Sequence, residues 1–196
     1  MDEAESYLFG LFEKVRCLRE THILEECVQG EPLSRRIETE HYLTEREARR
    51  CLLALADGLA VLHAHRILHR DIKPENLIEE RDGTIRLIDF DAARVMGAEG
   101  EEKAADTVYL GTRGYAPPEQ YGYGATDARS DIYALGVTVR EILGPAYHGS
   151  LMRVLDRATE VDPKRRYPSV AALVRDLRYG RRLRRAKRFA AVVLAL

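Results

Sequence analysis

The chain has 196 residues, with 31 Lys and Arg against 32 Asp and Glu, for a formal net charge of −1. That length suits one domain with ample chain for a hydrophobic core, and the near-neutral charge gives no basis for binding nucleic acid through the whole molecule. Cys17, Cys27 and Cys51 follow no C-x-x-C or zinc spacing and are odd in number, which argues against a disulfide framework and fits a reducing cytosol.

The opening Met1-Asp2-Glu3-Ala4-Glu5 is acidic where a secretory signal would be basic. Gly30-Glu31-Pro32-Leu33 predicts the start of a short helix. Thr44-Glu45-Arg46-Glu47 is a capping box that opens a longer one. Along it Ala48, Cys51, Leu52, Leu55, Leu59 and Leu62 recur at helical spacing as one core-facing stripe. His63 and His65 form an H-x-H pair near its end. With no third ligand close in sequence, the pair reads as helix-end histidines and not as a metal site.

The densest chemistry follows, in His69-Arg70-Asp71-Ile72-Lys73-Pro74-Glu75-Asn76 and then Asp89-Phe90-Asp91. A carboxylate, a lysine two residues on and an asparagine five residues on suit phosphoryl transfer to a hydroxyl. The carboxylate orients the attacking hydroxyl and takes its proton, the lysine steadies the phosphate, and the asparagine with a second aspartate holds magnesium. Between the two runs, Leu77-Ile78 and Thr84–Ile88 flank an Asp82-Gly83 turn and predict a β-hairpin. That hairpin would bring Asn76 and Asp89 to neighbouring strand ends. Val137–Leu143, Leu151–Thr159 and Ser169–Leu177 read as further helices, with only Gly144-Pro145-Ala146-Tyr147-His148-Gly149 between the first two.

The tail is unusual. Arg181–Arg188 puts six cations into eight residues, and Phe189–Leu196 is wholly apolar. A basic cluster before an apolar run is the pattern of the cytoplasmic flank of a membrane helix. Eight residues make about 12 Å of helix against a bilayer core of ~30 Å, so the segment as it stands cannot cross. It looks like the start of a transmembrane helix cut short, and a solvated tail or one lying on anionic lipid is the alternative.

The two loops resemble the catalytic loop and magnesium loop of the protein kinase family. Gly111-Thr112-Arg113-Gly114-Tyr115-Ala116-Pro117-Pro118-Glu119 resembles the end of its activation segment, with Pro117 where alanine is usual. Ser130–Gly136 resembles the start of the buried helix beneath the site, and Asp162–Tyr167 the late arginine motif. Leu87–Arg94 and Ala116–Gly122 are most similar to bacterial serine/threonine kinases.

The resemblance implies an α+β fold, mainly the helical C-terminal lobe at 29–180. Residues 1–28 would be a short β remnant of the N-terminal lobe, with strands near Phe12–Leu18 and Thr21–Val28, and 181–196 the tail. It implies ATP and Mg2+ as cofactors and a protein Ser or Thr as acceptor, since Lys73 follows the serine/threonine pattern. The segment Gly111–Glu119 favours protein over small-molecule substrates. Asp71 would accept the proton, Lys73 would contact phosphate, and Thr112 would position both. Asn76 and Asp89 would bind magnesium. Glu26 and Val28 would meet adenine through their backbone, with Ile78 a further nucleotide contact. Glu119 would pair with Arg166, Asp131 would hold the catalytic-loop backbone, and His69 would pack under Phe90. Arg70 would receive a phosphate on Thr107. Asp91 replaces a glycine, and aspartate tolerates positive φ at modest cost.

No G-x-G-x-x-G precedes the catalytic loop, and Lys14 is the sole lysine before Lys73. The front therefore reads as a lobe cut short. Two functions compete on these residues: a serine/threonine kinase represented here by its hinge and C-terminal lobe, or a non-catalytic module that binds a partner or regulates a kinase. The expected location is the cytoplasm, with the tail a candidate anchor at the inner face of the plasma membrane and no nucleic-acid partner.

Overall fold

The computed structural model describes residues 13–17, 20–24, 27–39, 41–96, 111–122 and 124–180. Strands β1 (Glu13–Cys17) and β2 (Glu20–Leu24) pair antiparallel, from Glu13 opposite Leu24 to Cys17 opposite Glu20. β1 lies within the expected Phe12–Leu18, and β2 overlaps the expected Thr21–Val28 but begins one residue earlier, at Glu20. A short β3 (Glu31–Pro32) leads into α1 (Leu33–Glu38), which buries Leu33.

Helix α2 (Glu45–Ala64) opens on the capping box: Glu47 N donates to Thr44 Oγ1 at 3.3 Å, and Thr44 N to Glu47 Oε2 at 2.7 Å. Each satisfies a backbone N–H that the helix start leaves without a partner. The whole predicted stripe is buried, and Ala56 joins it. Burying one such leucine contributes about 1.5–3 kcal/mol. Cys51 lies in that stripe, and burial pushes its thiol up to about 12.

Four short strands then carry the functional loops. These are β4 (Ile67–Leu68), β5 (Leu77–Glu79), β6 (Ile85–Leu87) and β7 (Arg94–Val95). β5 and β6 form the expected hairpin, with Leu77 opposite Leu87 and Glu79 opposite Ile85, and β3 adds to its β5 edge. Gly83 turns it at φ 82, a conformation that costs glycine little. β4 pairs with β7. Thus His69 follows directly on β4, Asn76 directly precedes β5, and Asp89 comes two residues after β6.

Beneath them run α3 (Ala128–Ile142), α4 (Met152–Ala158) and α5 (residues 170–180). α3 takes in the Ser130–Gly136 start that the resemblance implies, and begins nine residues before Val137–Leu143, the part read as helix from the residues alone. Its first turns bury Ser130, Asp131 and Gly136 along with Ile132, Ala134 and Leu135, so the buried face is partly polar and the periodicity is lost. Asp127 starts it by accepting from Arg129 N at 2.8 Å. At Gly136 an added Cβ would lie 2.9 Å from Ala158 Cβ, and this fixes the close approach of α3 to α4. The core joins α2, α3 and α4 around Leu52, Leu59, Ile72, Ile132, Leu135 and Leu155.

Candidate active site

The loop after β4 makes a left-handed turn at Arg70, φ 66. Non-glycine residues adopt that conformation only when their surroundings hold them there. The hold comes from below. Asp131, fully buried on α3, accepts from His69 N at 3.0 Å and Arg70 N at 2.9 Å. His63 Nε2 lies 2.8 Å from the same carboxylate. Gln120 Nε2 donates to Arg70 O at 2.8 Å, Thr138 Oγ1 to Ile72 O at 3.0 Å, and Arg70 Nε to Ala92 O at 2.7 Å. Two separate segments, α3 and the turn at Gln120, therefore clamp the backbone on either side of Asp71, and a third, at Ala92, holds the Arg70 side chain.

On that clamped loop four side chains converge. Lys73 Nζ lies 2.8 Å from Asp71 Oδ2 and donates to Thr112 Oγ1 at 2.8 Å. Thr112 Oγ1 donates to Asp71 Oδ1 at 2.8 Å, although the two are 41 residues apart. Asn76 Nδ2 donates to Asp71 O at 2.9 Å and Oδ2 at 3.1 Å. Burial alone would raise the Asp71 carboxyl. The hydrogen bonds from Lys73 and Thr112, the Lys73 charge and the Asn76 bond outweigh it and hold the group below the usual carboxylate range. The result is a half-buried, ionised carboxylate of defined orientation, with a cation beside it.

Asp89 reaches the same region through the hairpin, where Ile88 N donates to Asn76 O at 3.0 Å. Its backbone corrects one expectation. The left-handed conformation falls on Asp89 itself, φ 67, and not on Asp91. Asp91 N instead donates to Asp89 Oδ1 at 3.2 Å, an Asx-type turn that aspartate at 89 makes locally. Asp91 therefore has no need of the freedom of the glycine it replaces. Phe90 packs on His69 with ring centroids 4.8 Å apart, and burial lowers the His69 pKa.

Asn76 uses its amide nitrogen on Asp71, which leaves its carbonyl oxygen as an acceptor. With the Asp89 carboxylate it makes a sparse set of oxygen donors. Among the described residues no three His, Cys, Asp or Glu gather as a metal cluster. Such a set fits a hard cation that takes its remaining ligands from phosphate and water, as Mg2+ does, and not an all-protein cage.

Ile78 is buried, between Pro32 on β3 and Arg86 on β6. A Cβ added at Gly30 would lie 2.6 Å from Ile78 Cγ2 and 2.4 Å from Glu79 O, so glycine there lets the strand after Val28 run against Ile78. Glu26 lies outside the described residues, as do Thr107 and the tail 181–196. Of the histidine pair, His63 serves Asp131, while His65 Nδ1 lies 3.0 Å from Val61 O at the helix end.

Sequence reading missed the positioning roles of His63, Gln120 and Thr138. Gln120 directly follows the Pro117–Glu119 motif, and Thr138 is a polar residue inside an apolar helix face; both were available signals.

A model of the protein kinase domain matches residues 6–165. The chain is similar to serine/threonine-protein kinase PknA of Nostoc sp. (strain PCC 7120), 30% identical over 187 residues covering 81% of this chain and 33% of that protein. It is also similar to serine/threonine-protein kinase F of Synechocystis sp. (strain PCC 6803), 29% identical over 183 residues, 82% of this chain and 37% of that protein. A shorter match joins it to serine/threonine-protein kinase PknL of Mycobacterium tuberculosis, 43% identical over 86 residues, 44% of this chain and 21% of that protein. The chain thus spans less than two fifths of the length of these relatives.

Proposed function

The chain belongs to the protein kinase family, and we propose that it acts as a serine/threonine protein kinase, moving the γ-phosphate of ATP to a protein hydroxyl. The observation that carries this reading is the Asp71–Thr112–Lys73 triangle, closed by three contacts of 2.8 Å.

A substrate hydroxyl placed on Asp71 gives its proton to that carboxylate as its oxygen bonds to the γ-phosphorus and the bond to the β-phosphate oxygen breaks, leaving ADP. Thr112 holds one carboxylate oxygen and so orients the other toward the hydroxyl. Lys73 stands beside both, where its charge reaches a phosphoryl oxygen on the transferring group. Asn76 and Asp89 hold Mg2+, which when bound offsets the charge of the phosphates. Glu26, Val28 and Ile78 take the nucleotide base. Positioning and charge stabilisation supply nearly all of the catalysis in this reaction class, which is what a rigid, clamped loop provides.

Residues 181–196 are read as a contact to anionic membrane on the cytoplasmic side, supported by six cations in eight residues followed by an apolar run. Among the described residues no helix is long and apolar enough to cross a membrane.

The test is transfer of radiolabel from γ-labelled ATP to a generic basic protein, by the 196-residue chain and by the same chain joined to a kinase N-terminal lobe. Transfer that disappears in Asp71→Asn supports the reading. Nucleotide binding without transfer in either form makes the chain a non-catalytic module.

A further inference from the structure

Helix α5 ends at residue 180, and in the chain Arg181–Arg188 follows at once with its six cations. Just before that end, Leu177 O accepts from Arg49 Nη1 at 3.3 Å, so the last turn of α5 lies against the N-terminal turns of α2. Arg46 and Arg50, one helical turn apart on α2, flank Arg49 and are exposed, and Arg178 beside Leu177 is exposed as well. Among the described residues no carboxylate pairs with any of these three arginines.

The acids around them are engaged within the domain. Glu45 accepts from the Tyr147 hydroxyl at 2.6 Å, from Ser150 N at 3.1 Å and from the Ser150 hydroxyl, and lies 3.6 Å from Arg49 Nη2. Glu47 is held in the capping box and lies 3.6 Å from Arg36 Nη2. Asp176 takes both guanidinium arms of Arg153 at 2.7 Å and the Tyr167 hydroxyl at 2.7 Å. In a chain of net charge −1, the cations of Arg46, Arg50 and Arg178 are therefore a local feature, set where the basic run begins.

Tyr179 adds an apolar element. It is 51% exposed at the end of α5, and an aromatic ring with a polar tip is the kind of side chain enriched at the membrane–water interface. Guanidinium groups match the paired oxygens of a phosphate, and cations add to one another's effect when they lie within a Debye length of the same charged surface. A nucleic acid would suit the cations but offers no place for the apolar run at 189–196, whereas a bilayer interface takes both.

We propose that this face of the folded domain, made by Arg46, Arg50, Arg178 and Tyr179, docks on an anionic phospholipid surface together with the tail that follows it. The proposal rests on the reading of residues 181–196 as a membrane contact and adds an orientation to it. The entry end of α2 and the exit end of α5 meet the lipid. The catalytic loop follows the other end of α2, about 20 Å of helix beyond Arg50, and stays clear of it.

The experiment is co-sedimentation of the 196-residue chain, at low salt, with vesicles of equal parts phosphatidylglycerol and phosphatidylcholine. Arg46→Gln/Arg50→Gln/Arg178→Gln should bind at least tenfold more weakly than the wild type. Arg35→Gln/Arg81→Gln/Lys164→Gln, which removes the same charge from exposed positions elsewhere, should bind within threefold of it. The chain has no tryptophan, so Tyr179→Trp supplies a single reporter that brominated acyl chains should quench. Val95→Trp, at a 55% exposed position on β7, should not be quenched. Wild-type binding by the first triple variant, equal losses in the two triple variants, or equal quenching at 95 and 179 overturns the docking face. A chain ending at residue 180 separates this proposal from the tail reading. If that chain binds like the wild type while the first triple variant does not, the face stands and the tail reading falls. If it fails to bind while the triple variant binds normally, the tail reading stands and the face falls.

Discussion

Glu119 receives both guanidinium arms of Arg166, at 2.6 and 2.9 Å, with the two side chains almost wholly out of solvent. Arg166 also donates to the carbonyls of Glu160, Val161 and Arg129, and its guanidinium lies over the Tyr133 ring. Ser130 Oγ donates to Glu119 Oε1 at 3.0 Å. The pair joins the turn at 118–121, the start of α3 and the loop before α5. Since Gln120 bonds Arg70 O, that junction also supports the catalytic loop.

A buried pair of this kind is costly to break on one side, because the remaining ion is left without a partner. Arg166→Ala should therefore lower the unfolding free energy by about 3–5 kcal/mol. Glu119→Leu with Arg166→Met should cost clearly less than the sum of the single changes. Urea denaturation of the wild type, Arg166→Ala, Glu119→Leu, Arg166→Met and the double variant checks this. Additive losses would mean that the two side chains stabilise the fold independently.

Asp71→Asn should reduce phosphoryl transfer by about 10²–10⁴-fold, the usual contribution of a positioned proton acceptor. Thr112→Ala should lower the turnover number with little change in the KM for ATP, while Thr112→Ser, which keeps the donor, should recover most of the loss. An equal defect in the Ser and Ala variants would show that the hydroxyl does not orient Asp71.

Glu45 supplies a pH signature. Its bond from the Ser150 hydroxyl, then that from Tyr147, hold its pKa down from 4.5 to about 2. A folded-state pKa below the unfolded value adds stability that is fully present above about pH 4.5 and is lost as the pH falls toward 2. Relative to Glu45→Gln, the wild-type protein should therefore lose stability on acidification across that window and show a constant difference above it. Parallel curves from pH 6 to 2, followed by thermal melts, would refute the assignment.

The tail should bind acidic liposomes weakly and in a salt-dependent way. Each cation near such a surface contributes on the order of 1 kcal/mol, and the effect decays within a Debye length. Co-sedimentation should fall between low and high salt, vanish on neutral vesicles, and disappear when residues 181–196 are deleted. Binding that persists without those residues would place the contact elsewhere.

The capping box at Thr44, the stripe from Ala48 to Leu62, the Asp82-Gly83 hairpin and the cluster of Asp71, Lys73 and Asn76 were all legible in the chain. Each depends on neighbours within a few residues or on a helical or strand period, and such patterns are written locally. The Thr112 and Asp131 contacts were expected from the family's motifs and not from local chemistry. Only the tertiary structure decided that His63 reaches Asp131 across 68 residues, that Thr138 and Gln120 grip the catalytic loop, and that the left-handed turn falls on Asp89 and not on Asp91. The physical reason is the same in each case. A buried polar group takes whichever partner packing brings within 3 Å, and a strained φ falls where the surrounding hydrogen bonds hold it, so neither follows from sequence spacing.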